Sequence, residues 1–118
     1  MHLYAGTGDG PLFNAGSVPA ESVESLAVLI AGQPKRSLLD SLDCDPKRDN
    51  DIRAGWAARG LVAYAQHLGG AKLSEDIGVA LTDLLGDLRH LCDALGVDWD
   101  AAVSRSEYDH YCEVRGIL

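Results

Sequence analysis

Aromatic side chains are scarce in this chain of 118 residues: Phe, Trp and Tyr together make up 6%. A core built without them must be closed by small aliphatic residues, which suits closely packed helices. Basic residues are also few, 10 Lys and Arg against 18 Asp and Glu, for a net charge of −8. Phosphate backbones are gripped by Lys and Arg, so direct nucleic-acid binding is disfavoured. No apolar run approaches the roughly 20 residues a membrane helix needs; the longest, 26–31, is far too short. Met-His-Leu-Tyr is not a basic segment followed by an apolar one, so the expectation is a cytoplasmic protein without a signal peptide. The cysteines are three, Cys44, Cys92 and Cys112, an odd number that points to free thiols rather than a disulfide framework. No complete catalytic signature is present, neither a nucleophile elbow nor a phosphate loop. The glycine-rich residues 6–11 lack the following Lys-Ser/Thr and read as turns.

What is present is helical patterning, strongest over residues 74–100. Ser74 suits an N-cap, with Glu75 and Asp76 in a first turn where the helix dipole favours negative charge. Leu81, Leu84, Leu85, Leu88, Leu91, Cys92 and Leu95 recur at helical spacing and predict a packed face. Gly96 fits the left-handed position past the helix end, Val97 folds back on the last turn, and Asp98 caps a helix starting at Trp99. Residues 19–31 predict a first helix beginning at Pro19, with Val23, Leu26, Ala27 and Ile30 on one face. Residues 35–42 predict a short helix, and 43–50 a loop broken by Pro46. Residues 50–68 predict a helix capped near Asn50, with Ala57, Leu61, Tyr64, Ala65 and Leu68 in one arc and Ile52, Trp56, Gly60 and Ala63 in another. Gly55 and Gly60 each cost about 1 kcal/mol relative to Ala, an expense that predicts close approach of a neighbouring backbone. The expected fold is one all-α domain over 1–118: a small four-helix bundle with an irregular glycine-rich arm at 1–18 and a helical hairpin at 74–115.

Several residues are candidates for chemistry. Asp83, Asp87 and His90 fall in one line along their helix, and hard oxygen ligands with an imidazole suit magnesium or manganese. The commoner role for such residues is a solvated helix edge with local pairs. His90-Leu91-Cys92 and His110-Tyr111-Cys112 pair zinc-type ligands, but i and i+2 point to nearly opposite sides of a helix, so buried apolar cysteines are the better expectation. Cys44 sits between Asp43 and Asp45, whose charges raise a thiol's pKa, the wrong direction for a nucleophile. Lys35, Arg36, Lys47 and Arg48 read as a self-compensated surface among aspartates. The C-terminal third carries Asp93, Asp98, Asp100, Glu107, Asp109 and Glu113 together with Trp99, Tyr108 and Tyr111. Acidic groups around aromatic rings are the composition of a surface that docks a basic one. Trp56 is expected in the core.

Residues 83–103, DLLGDLRHLCDALGVDWDAAV, resemble the C-terminal metal-binding hairpin of MazG-like nucleoside triphosphate pyrophosphohydrolases. That resemblance implies an all-α fold in which a Glu-x-x-Asp pair joins a Glu-x-x-Glu pair on an earlier helix to hold magnesium over a nucleotide's phosphates. Asp83 matches the aspartate of the late pair; Ala80 stands where the family has glutamate, and residues 50–68 contain no Glu-x-x-Glu. The same stretch is similar to small uncharacterised helical proteins of bacteria and phages with an LLxDLxHLCDxLGxD…HY tail. Two functions follow as expectations. One is a non-enzymatic acidic module, an accessory protein or inhibitor of phage or mobile-element type, with no cofactor and a basic protein partner, itself nucleic-acid-binding. The other is a divergent or degenerate magnesium-dependent nucleoside triphosphate pyrophosphohydrolase of MazG-like type using Asp83 and Asp87. A homodimer suits a bundle this small.

Overall fold

Two helices of this chain begin side by side, each completing the other's first turn. In the computed structural model, which describes residues 20–40 and 45–117 (without the side chains of Asp40 and Lys47), α1 spans Val23–Ala31 and α3 spans Ile77–Leu95. A helix leaves its first four N–H groups without internal partners. Here the Val23 N–H donates to the Glu75 carbonyl at 3.1 Å, and the Ile77 N–H donates to the Glu21 carbonyl at 3.0 Å. These bonds form an isolated antiparallel bridge between Ser22 and Asp76. The same two residues are the N-caps: Ser22 Oγ accepts from the Ser25 N–H, and Asp76 Oδ1 accepts from the Gly78 and Val79 N–H groups. Both starts differ from the sequence expectation for this reason. Helix α1 begins at Val23 rather than Pro19, and α3 is capped by Asp76 rather than Ser74. Ser74 instead closes a 3-10 turn, Gly70–Ser74, its hydroxyl donating to the Ala71 carbonyl.

The long helix α2, Pro46–Leu68, carries the core. It starts four residues earlier than expected. Pro46 does not break it but occupies its first turn, where a missing N–H costs nothing, and the Asp45 carboxylate accepts from the Arg48 N–H at 3.3 Å. Ala58, Leu61, Val62 and Ala65 are buried at i, i+3, i+4 and i+7, against Val23, Leu26 and Ile30 of α1 and Ile77 and Ala80 of α3. This face lies between the two predicted arcs: Ala57 is exposed, and Ala58 and Val62 take its place. Trp56 is 47% exposed rather than a core residue, its indole N–H donating to the Arg36 carbonyl. Gly60 is exposed with nothing near its missing Cβ, so no backbone approaches it closely. The short helix expected at 35–42 is seen only as a 3-10 turn at Leu38–Asp40. The arm at 1–18 and Cys44 lie outside the described residues.

Helix α4, Trp99–Arg115, returns to the start of α2. Asn50, buried rather than an N-cap, donates from Nδ2 to the Glu113 carbonyl at 2.9 Å, and Arg53 Nε lies 2.6 Å from Glu113 Oε2. Gly116 adopts φ of 67°, and a Cβ there would stand 2.8 Å from Pro46 Cγ. The expected four-helix, all-α fold is therefore present, with no strand among the described residues. No helix among them is long and apolar enough to cross a membrane.

Gly96 and Gly116 both close helices in the left-handed region, at φ of 71° and 67°. Gly96→Ala will lower unfolding free energy by about 1 kcal/mol, the usual backbone cost. Gly116→Ala will cost more, because its Cβ also meets Pro46. Urea denaturation of the two variants measures the difference; equal losses would show that the Pro46 contact relaxes freely.

Candidate functional site

Asp83 and Asp87 lie on the side of α3 that faces α2 and the preceding turn, and each already has a partner. Lys72 Nζ sits 2.6 Å from Asp83 Oδ2 and 3.0 Å from Glu75 Oε2. Tyr64 Oη donates to Asp87 Oδ2 at 2.6 Å. His90 is exposed one turn further on. The residues set in a line by the helix are thus divided between a lysine, a phenol and solvent. Among the described residues no group of three or more His, Cys, Asp or Glu side chains is placed to hold a metal ion. Cys92 and Cys112 are free thiols, the first half-buried and the second buried, while His90 and His110 point to solvent.

The predicted interaction residues divide into two kinds. Asp93, Asp98, Asp100 and Glu107 are exposed, as are Tyr108 and Tyr111. Asp98 caps α4 by accepting from the Ala101 N–H. Asp93, Asp100 and Glu107 have no ion-pair partner among the described residues. Glu113, by contrast, is held by Arg53 and serves the α2–α4 contact, and Asp109 pairs with Arg105. Trp99 is half-buried. The tyrosine rings are not bare: Arg105 lies 5.6 Å from the Tyr108 centroid and Arg115 lies 3.8 Å from that of Tyr111.

The larger finding is on α3. Its leucine row, expected to be a packed face, is largely uncovered: Leu81, Leu85, Leu88, Leu91 and Leu95 keep between 39% and 68% of their surface, with Leu95 at the upper end. The reason is rotational. Ile77, Ala80 and Leu84 occupy one edge of the apolar stripe, and α2 covers that edge. Leu81 and Leu85 are about 100° further round the helix from Ala80 and Leu84 and face away. The signal was legible in the spacing. Leu81, Leu85, Leu88, Cys92 and Leu95 repeat at 4-3-4-3, a coiled-coil seam on a helix that already needs its neighbouring edge for the core. Fully covering one leucine is worth about 1.5–3 kcal/mol. The five exposed leucines therefore leave roughly 4–7 kcal/mol of burial unrealised by the same estimate. Monomeric proteins rarely leave such a row open without a use for it.

Charge follows the same division. Residues 75–117 carry ten acidic side chains against three basic ones, whereas residues 1–74 are nearly balanced at eight against seven. At the hairpin's turn, exposed Leu95 and Val97 are flanked in sequence by exposed Asp93, Asp98 and Asp100. The arrangement is an apolar strip with an acidic end, carried on two helices whose other ends are anchored to α2. No protein-family model, curated protein or solved structure matches this chain.

The partners of Asp83 and Asp87 set a pH dependence. The Asp87 carboxylate holds the proton of Tyr64, chiefly through their hydrogen bond, and raises its pKa above 10.0. Hydrogen bonds to Asp83 and Glu75 likewise raise that of Lys72. Both groups bind their proton more tightly folded than unfolded, so their contribution is complete below the unfolded values and is lost as pH rises through the folded ones. Stability will fall above about pH 10. Asp87→Asn will move the ionisation of one phenol to lower pH in an ultraviolet titration; an unchanged curve would mean that Tyr64 and Asp87 are not bonded in solution.

Proposed function

We propose that this protein is a small, non-enzymatic binding module whose acidic hairpin, α3 and α4, docks a basic protein surface. The observation that carries the reading is the coincidence of the two asymmetries. Among the described residues the one long uncovered apolar row lies on the hairpin, which holds five of the chain's eight net negative charges. An apolar centre gives such an interface its affinity, and complementary charge gives it speed and selectivity. A groove that binds nucleic acid is basic by necessity, so a nucleic-acid-binding protein is the natural class of partner. The role is then that of an accessory protein or inhibitor, in keeping with the hairpin's resemblance to small helical proteins of bacteria and phages. The module works in the cytoplasm and needs no cofactor in this reading.

The pyrophosphohydrolase alternative requires Asp83 to exchange Lys72 for magnesium, and it makes a separate measurement decisive. Purified protein with magnesium and a panel of nucleoside triphosphates will release no pyrophosphate above background. Release that disappears in Asp83→Asn would replace the binding reading with the enzymatic one.

The binding reading itself is tested by site-specific photocrosslinking in extracts of the native cell. A crosslinker at Glu107 will capture a protein with a basic surface, and one at Val28, exposed on α1, will not. The adduct will be lost in Asp93→Asn/Asp100→Asn and at about 0.5 M salt, where screening shortens the reach of charge to a few ångströms. Equal capture from both positions, or adducts indifferent to salt and to the two substitutions, would overturn it.

A further inference from the structure

We infer that the seam on α3 receives a single basic amphipathic helix from the partner, laid along Leu81, Leu85, Leu88, Cys92 and Leu95. The inference rests on the binding reading above and specifies the mode. Three observations carry it. The first is spacing: a 4-3-4-3 repeat presents knobs and holes to another helix running nearly parallel to its axis, and not to a sheet or an irregular loop. The second is length: from Leu81 to Leu95 the seam runs about 21 Å at the helical rise, which four turns of a partner helix cover. The third is charge. Arg89 is the one basic residue of α3, and Asp93, Asp98 and Asp100 lie within five residues of Leu95, the seam's outer end, without a basic partner among the described residues. A helix entering this seam must therefore carry Lys or Arg beside its apolar stripe, most of all at the end that meets the α3–α4 turn.

A second copy of this chain has the apolar stripe but the wrong charge. Two such hairpins face to face would set five net negative charges against five, and like charges placed together disfavour a pairing. The partner helix is accordingly heterologous.

The probe is a synthetic 21-residue helix with Leu at its a and d positions and Lys at e and g. It is compared with the same peptide carrying Glu at e and g, and both are titrated against the full chain by fluorescence anisotropy. The Lys peptide will bind saturably and the Glu peptide will not. Leu85→Ser/Leu88→Ser will weaken the Lys peptide at least tenfold, and because both leucines lie outside the buried core the variant's circular dichroism at low temperature will show the parent's helix content. Asp93→Asn/Asp100→Asn will weaken it severalfold at low salt and little at high salt. Equal affinity for the parent and the double-serine variant would show that charge alone attracts the peptide, and would overturn the seam. So would a parent chain that is a dimer by light scattering and a monomer as Leu85→Ser/Leu88→Ser, since the seam would then hold a second copy. The two readings fail separately: a crosslinked basic partner indifferent to Leu85→Ser/Leu88→Ser would leave the module standing and overturn only the helix in the seam.

Discussion

The pairing of two helix starts sets how α3 leaves the core of this fold. A helix N-terminus is a cluster of unsatisfied donors, and putting two of them together would ordinarily compound the difficulty. The chain resolves it by exchange: each helix's first N–H goes to the carbonyl just before the other's cap, while Ser22 and Asp76 serve the next donors with their own side chains. The pairing joins residues more than fifty positions apart and fixes where α3 leaves the core. It also fixes the helix's rotation, since Ile77 and Ala80 must then meet α2. The exposure of the leucine row is a consequence of that rotation.

Nine residues of α1 and the C-terminal half of α2 complete a small core around the first turns of α3, and beyond Leu84 the stripe is only partly covered within the described residues. The chain thereby separates its two tasks. The described residues before the hairpin hold the fold, and charge over residues 1–74 is nearly balanced. The hairpin beyond them spends little of its apolar surface on stability and carries the negative field. The carboxylates that do meet the core side, Asp83, Asp87 and Glu113, are each matched by a partner from another element. Those that do not, Asp93, Asp100 and Glu107, are left facing water.

Much of the fold was legible because its signals are local. The Gly96-Val97-Asp98 punctuation, the α1 face of Val23, Leu26 and Ile30, and the number of helices all follow from short-range pattern. What misled were residues with two good local roles. Ser74 and Asp76 are both competent caps, and only the distant Glu21 carbonyl decides between them. Pro46 ends a helix or starts one equally well until Asp45 is seen capping α2. Trp56 belongs in a core by its size, yet its indole reaches the Arg36 carbonyl at the surface. The acidic and aromatic residues of the interaction surface were readable as composition, but their division was not: Glu113 and Asp109 are indistinguishable in sequence from Asp100 and Glu107 until Arg53 and Arg105 claim them. The spacing of the leucine row predicts core because periodicity reports that a face is apolar and not whether anything covers it.

The contact between Asn50 and Glu113, with Gly116 seated on Pro46, changes how the molecule comes apart. It closes a loop across 63 residues, and such closures are the slow, late and entropically demanding part of folding. The last turn of a helix ordinarily frays on its own. Here it opens only when the first turn of α2 gives way, because the buried Asn50 amide would otherwise lose its acceptor. The hairpin is consequently a span pinned at both ends rather than a free arm. A load applied at its turn is carried to both ends of α2 at once, and the surface that meets a partner is coupled to the helix at the centre of the core.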